Sequence, residues 1–222
     1  MTFSQEWEQA YRNNTHISIW PWSDLVSLVM KYASPIKSKF RVLELGCGAG
    51  ANIPFFTSLG VRYYAMDGSS IMIEKLRKKF PRLKENLKVS DFTQNIPFRG
   101  DFDLVIDRGS LTHNPTKGII SCLDQVHKKL KFGGKYIGID WFSTLHSDYS
   151  NGLRYEDKYT RTGYQYGQFA NVGHVHFSDR SHLQDLFSRF YILVLQHKIV
   201  KTEIPENFTF ASWNLVAQKG KK

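Results

Sequence analysis

Three glycines at alternate positions, Gly46, Gly48 and Gly50, stand directly behind the apolar run Val42, Leu43 and Leu45, with the acid Glu44 inside that run. Glycine takes positive φ without strain, so such a turn lets backbone approach a ligand closely, and the helix after it aims its N–H groups at the same place. The chemistry is that of holding a nucleotide-like cofactor. Spacing leaves its identity open, because Gly46-x-Gly48-x-x-Ala51 also satisfies the dinucleotide-binding fingerprint, whose last position accepts alanine.

The elements that must position this turn alternate along the chain. Strand-like runs lie near 41–45, 61–66, 86–90, 102–107 and 135–141, with helical patterns near 51–59, 70–79 and 117–130 between them. That order predicts an α/β fold, a doubly wound, Rossmann-like and mostly parallel sheet with helices on both faces. Pro54 suits a first helical turn, Ser69 or Ser70 an N-cap, and Pro115 with Thr116 the start of the third helix; Gly133-Gly134 is expected to stop it. After a helical pattern at 179–189, Tyr191–Val200 and Phe208–Gln218 read as an antiparallel hairpin at the sheet edge, joined through Lys201–Asn207.

Gross composition bounds the rest. The 222 residues, 41% hydrophobic and 14% aromatic, suit one domain spanning the chain. Two cysteines, Cys47 and Cys122, make no disulfide framework, and Met1–Tyr11 lacks the apolar core of a signal peptide, so a cytoplasmic setting is expected. No apolar run reaches the roughly 18 residues a membrane span needs. The net charge of +10 invites a nucleic-acid reading, but the charge is scattered, and the basic runs Lys75 to Lys84 and Lys128 to Lys135 read as solvated faces.

The order of motifs resembles the class I S-adenosylmethionine-dependent methyltransferases over roughly residues 40–142 and the C-terminal hairpin. Glu44-Leu-Gly46-Cys-Gly48-Ala-Gly50 is similar to that family's first motif, and Asp67-Gly68-Ser69-Ser70-Ile71-Met72-Ile73 to its D-x-S-x-x-M-[LI] pattern. Ser90-Asp91-Phe92, Phe102–Gly109 and Leu130–Gly134 resemble its later motifs, with Phe132 where the family has proline. The resemblance implies S-adenosylmethionine as methyl donor, S-adenosylhomocysteine as product, and a site built from Glu44, Gly46, Cys47, Gly48, Gly50, Asp67, Gly68, Ser69, Asp91, Phe92 and Asp107.

Each implied role has a physical reason. Asp67 can accept from both ribose hydroxyls, or else cap a helix. Asp91 can accept from the adenine amino group beside the flat wall of Phe92, or else form a turn. Glu44 needs a partner at the end of its strand: the ligand's ammonium, or donors of its own loop. Asp107 is expected to face the methionine end of the cofactor or the acceptor, and Arg108 either pairs with it or holds an acidic substrate. His113, in the loop after the fourth strand, is the leading general base, unless it is only bonded to backbone.

Residues 140–177 read as a substrate lid rich in aromatic, histidine and arginine residues. His146, Tyr149, Arg154, Tyr155 and His176 are its expected substrate contacts and His174 a second catalytic candidate. His174-Val-His176 puts two rings on one strand face, but no third ligand is evident at zinc-like spacing, so no metal is expected. Residues 1–39 read as an N-terminal helical cap, in which the resemblance offers Tyr11, Trp20 or Trp22 as a wall of the site. The leading expectation is O-methylation of a small polar metabolite, sugar or nucleotide-sugar. An RNA or protein methyltransferase and an NAD(P)-dependent oxidoreductase are the alternatives.

Overall fold

The computed structural model describes residues 5–13, 15, 17–36, 38–204 and 207–220. The outermost residues of the expected N-terminal cap, and residues 205–206 in the expected 201–207 connection, lie outside them. The chain begins with α1 (Gln5–Arg12) and α2 (Ser23–Tyr32), then runs β1 (Arg41–Leu45), α3 (Ile53–Ser58), β2 (Arg62–Asp67) and α4 (Ser70–Lys79). It continues through β3 (Leu87–Val89), β4 (Phe102–Arg108), α5 (Thr116–Lys129) and β5 (Leu130–Phe142). Three short strands follow, β6 (Leu153–Tyr155), β7 (Asp157–Thr162) and β8 (Val175–His176), then α6 (Arg180–Leu186), β9 (Tyr191–Thr202) and β10 (Phe208–Gln218).

Seven strands form one sheet in the order β3-β2-β1-β4-β5-β10-β9. The first five are parallel; β10 lies antiparallel to both β5 and β9, so the expected hairpin forms the sheet edge. The chain winds outward from β1 to β2 and β3 and then returns to β4 on the other flank of β1. That reversal opens a crevice beyond the carboxyl ends of β1 and β4, where open α/β sheets bind ligands.

Period-two alternation explains the two cores. Val42, Leu104 and Ile106 point to the face covered by Leu25, Val29, Phe56 and Leu76, whereas Leu43, Leu45 and Val105 point to the face covered by Ile119, Leu123 and Leu183. Every one of these side chains is buried. Local chemistry sets the helix starts: Ser69 accepts from the Met72 N–H, Asp179 accepts from the His182 N–H, and Pro54 sits in the first turn of α3.

Two expectations are corrected. Gly133-Gly134 does not stop α5, which ends at Lys129 when Leu130 turns extended; both glycines lie inside β5. Gly133 has φ +75°, and the register against β4 jumps from Phe102↔Leu130 to Leu104↔Lys135, so the pair serves a bulge that lets a long strand follow its helix without a loop. The segment 140–177 is not a plain insertion either. Its start completes β5, and β6, β7 and β8 form a separate antiparallel sheet over a third core of Phe142, Tyr164, Phe169, Val172, Val175 and Phe177. Among the described residues no helix is long and apolar enough to cross a membrane.

Candidate active site

The glycine turn is pinned from both sides of β1. Gly46, Gly48 and Gly50 have φ of +65°, +47° and +78°, a region where a side chain would be strained. A Cβ on Gly46 would sit 2.3 Å from that of Ser110, and one on Gly50 2.6 Å from Leu76, so the turn is packed as well as bent. The Cys47 N–H donates to the Met66 carbonyl at 3.1 Å. Asp67 spans the gap with both oxygens, accepting from the Gly48 N–H at 2.8 Å and the Ser69 N–H at 2.9 Å. Ser69 itself caps α4, so the carboxylate of Asp67 is left for the turn and the space above it.

That space is a cavity of about 830 Å³ over the carboxyl ends of the strands, toward the upper end of ordinary ligand sites. Gly46, Cys47, Gly48 and Gly68 form its floor, with Glu44, Asp67, Asp91 and Phe92 along one end. Glu44 accepts from the Asn52 amide at 2.8 Å and from the Tyr63 hydroxyl, and burial pushes its carboxyl up to about 7. Burial likewise raises Asp67 to about 6, against the backbone donors that hold its charge. Asp91 accepts from the Thr93 N–H and hydroxyl through one oxygen, at 2.8 and 2.7 Å. The Asn52 Oδ1, buried at the cavity wall, has no partner among the described residues. This end is therefore rich in acceptors and suits a ligand carrying hydroxyls, amines or positive charge.

The other end has a different chemistry. Trp7, Trp22, Phe142, Phe169 and Phe210 line it together with His113. The His113 Nδ1 lies 3.0 Å from the His174 carbonyl oxygen, to which it must donate, so Nε2 is the unprotonated nitrogen of the neutral ring. Trp7 meets the same ring edge-on at 4.7 Å between centroids. Arg108 lies over the Trp22 ring at 3.9 Å, with Asp140, Lys198 and Asp24 beside it in the cavity wall.

Several expected site residues are placed elsewhere. Asp107 is fully buried and outside the cavity lining. It accepts from the N–H groups of Ser110 and Leu111, the Ser110 hydroxyl, the Trp141 indole and the Tyr136 hydroxyl, which makes it an organiser of the loop after β4. His146 is buried among Phe142, Phe169, Phe177, Phe208 and Phe210; its Nδ1 takes the Asp148 N–H and its Nε2 meets the Gln168 amide at 2.7 Å. His176 is wholly buried, with Nε2 3.0 Å from that of His182, and burial lowers its pKa.

The remaining lid residues turn away in the same manner. The His174 ring packs on Tyr155 at 4.1 Å, so only its carbonyl serves the site. The Tyr149 hydroxyl donates to the Lys158 carbonyl, beneath the Arg161 guanidinium, and Arg154 is exposed on β6. None of His146, Tyr149, Arg154, Tyr155, His174 or His176 lines the cavity; Gln168, Phe169 and Val172 reach it from that segment instead. Of the N-terminal candidates Tyr11 and Trp22 line it, while Trp20 is 71% exposed and does not. Among the described residues no cluster of three or more potential ligands could hold a metal.

Comparison with known proteins places this geometry among relatives. Residues 42–134 match the family model described as a methyltransferase domain. No curated protein matches the chain. Among solved structures, an S-adenosylmethionine-dependent methyltransferase from Methanosarcina mazei superposes with TM-score 0.69 at 17% identity, covering 93% of this chain and 100% of the other. The Burkholderia thailandensis 1,6-didemethyltoxoflavin-N1-methyltransferase, solved with its substrate and S-adenosylhomocysteine, gives 0.68 at 15% identity, covering 98% and 87%. A methyltransferase-like structure from Bacillus halodurans gives 0.65 at 17%, covering 90% and 100%. At these identities the likeness is one of fold.

Proposed function

We propose that this chain, whose residues 42–134 match a methyltransferase domain and whose fold is that of S-adenosylmethionine-dependent methyltransferases, uses that cofactor to methylate a hydroxyl of a small, uncharged, ring-bearing acceptor. The observation that carries the reading is the chamber where His113, oriented by the His174 carbonyl, faces the same cavity as Trp7, Trp22, Phe142, Phe169 and Phe210. Flat side chains enclose a ring well, and they exclude water from the reacting centre.

The cofactor fits the residues at the acceptor-rich end. Asp67 is suited to the ribose hydroxyls, Asp91 and Phe92 to the adenine edge and face, and Glu44 with the orphan Asn52 Oδ1 to the ammonium. S-adenosylmethionine supplies a methyl group on a sulfonium, open to in-line displacement. The protein's task is then alignment and proton removal. Trp22, Phe142 and Phe169 hold the acceptor ring against lateral movement, and His113 takes the hydroxyl proton at Nε2 as the oxygen becomes nucleophilic.

The charge balance supports an uncharged acceptor. At the acceptor end Asp24 and Asp140 balance Arg108 and Lys198, while Glu44, Asp67 and Asp91 lie at the end suited to the cofactor, although the whole chain carries +10. A nucleotide-sugar or an RNA phosphate would find no surplus of positive charge there to offset its own. Of the lid residues suited to a sugar, Tyr149 is engaged with the Lys158 carbonyl and the Arg161 guanidinium, and neither Arg154 nor Tyr155 lines the cavity. The test is transfer of label from methyl-labelled cofactor to a panel of hydroxylated aromatic rings, sugars and RNA. Label in the neutral rings, lost in His113→Ala, supports the proposal; label confined to sugar or RNA overturns it.

A further inference from the structure

Two neighbouring groups in the acceptor end of the cavity lack the partners that their chemistry calls for. The Arg108 guanidinium donates no hydrogen bond to any described residue; its Nε is buried without a hydrogen-bond partner, the group lies over the Trp22 ring at 3.9 Å, and Asp140 Oδ2 is 3.9 Å from Nε. That separation is too long for a hydrogen bond. Asp140 is the complementary case. Its Oδ1 accepts from Lys198 Nζ at 2.7 Å and the Ser212 hydroxyl at 3.1 Å, but its Oδ2 accepts from no described residue. One face of this pair is therefore a bare donor and the other a bare acceptor.

Asp140 is also held where an ordinary side chain is strained. It has φ +55° at the carboxyl end of β5 and is 5% exposed. Such a conformation persists only where the surroundings over-determine it. Here they do: the Asp140 N–H donates to Asn214 Oδ1 at 3.1 Å, the Asn214 amide donates to Asp24 at 3.2 Å, and Lys198 Nζ bridges Asp24 and Asp140 at 2.8 and 2.7 Å. Four segments of chain thus converge to aim one carboxylate, with its unused oxygen beside an unused guanidinium.

We propose that Arg108 and Asp140 together read an acceptor edge that carries a hydrogen-bond acceptor next to a hydrogen-bond donor, as the C=O and N–H of a lactam in a heteroaromatic ring do. Arg108 donates to the carbonyl oxygen, and Asp140 Oδ2 accepts from the ring N–H. Trp22, beneath the guanidinium, sets the height at which the ring plane enters. Lys198 and Asp24 are positioning residues, acting through Asp140. The pair selects because a ring lacking either group leaves a buried polar atom unmatched, a larger penalty than a lost methylene contact. The assignment rests on the reading of this chamber as the acceptor site.

Calorimetry on the S-adenosylhomocysteine-loaded protein tests it with three probes of similar shape: quinazolin-4-one, its 3-methyl derivative and quinazoline. Binding of quinazolin-4-one at least tenfold tighter than either of the others, with that margin lost in Asp140→Asn and in Arg108→Gln, is the expected result. Asparagine keeps the left-handed backbone of residue 140 accessible, so the first variant changes the acceptor without forcing the strand end to move. Equal binding of the three rings overturns the lactam assignment while leaving the aromatic chamber standing. No binding of any ring, with the cofactor product still bound, overturns both.

Discussion

The His113 ring and the His174 carbonyl, 3.0 Å apart, join the loop after β4 to the strand-rich segment that covers it. That contact selects one tautomer and turns the accepting nitrogen away from the backbone bond, which is the arrangement a general base requires.

Replacing His113 by alanine is expected to lower kcat by about 10²–10⁴ fold. The affinity for S-adenosylhomocysteine should stay within about twofold, because the acceptor-rich end of the cavity is untouched. Steady-state kinetics with calorimetry separates the two; a parallel loss of cofactor affinity would mean the residue merely supports the fold.

Asp67→Ala removes the link between the glycine turn and β2 and leaves the Gly48 and Ser69 N–H groups without their acceptor. Losing such a partner costs about 1–3 kcal/mol. The expected readout is cofactor affinity weakened by about tenfold or more together with a lower Tm. Unchanged affinity would remove Asp67 from the cofactor site.

Burial raises the carboxyls of Glu44 to about 7 and Asp67 to about 6, both above their unfolded values. Groups raised on folding contribute stability at low pH that is lost as pH climbs through the folded value, so these two favour the free protein near pH 4 and cease to do so above about pH 7. A ligand that donates to their ionised forms lowers both pKa values. Calorimetry between pH 6 and 7 in buffers of different ionisation enthalpy should therefore show net proton release when S-adenosylhomocysteine binds; proton uptake would contradict the assignment.

Two aromatic-region substitutions should part company. Phe142→Ala is expected to raise acceptor KM by about tenfold or more, since it opens the chamber wall. His146→Ala touches the cavity nowhere but empties a site enclosed by five phenylalanines, so it should cost about 2–4 kcal/mol of stability with acceptor KM little changed in the folded fraction.

Much of this architecture is legible in the chain because it is written locally. The apolar alternation at Arg41–Leu45 and Phe102–Arg108, the glycines at 46–50 and the cap at Ser69 each act within a few residues of themselves. The Tyr191–Gln218 hairpin is equally local, apart from the residues at 205–206. What local pattern cannot convey is the direction of a side chain fixed by distant partners. Asp107 sits in a motif that the family resemblance assigns to the site, yet its orientation is decided by Tyr136 and Trp141 on the next strand. The lid was conspicuous for its tyrosines and histidines, but the antiparallel β6-β7-β8 sheet turns His146, His176 and Tyr149 inward or aside and offers Gln168, Phe169 and Val172 instead. Lys198 and Phe210 come from the edge hairpin, whose approach to the cavity depends on the packing of β10 against β5. Only Gly133-Gly134 misled through a local rule, because a bulge and a helix stop use the same residue.

The division of one cavity into a cofactor end and an acceptor end is tested most directly by a crystal structure with S-adenosylhomocysteine bound. The expected density places the ribose on Asp67, the adenine against Phe92 and Asp91, and the sulfur facing the chamber of His113, Phe142 and Arg108. A sulfur pointing away from His113, or an adenine lying between Trp22 and Phe142, would contradict it.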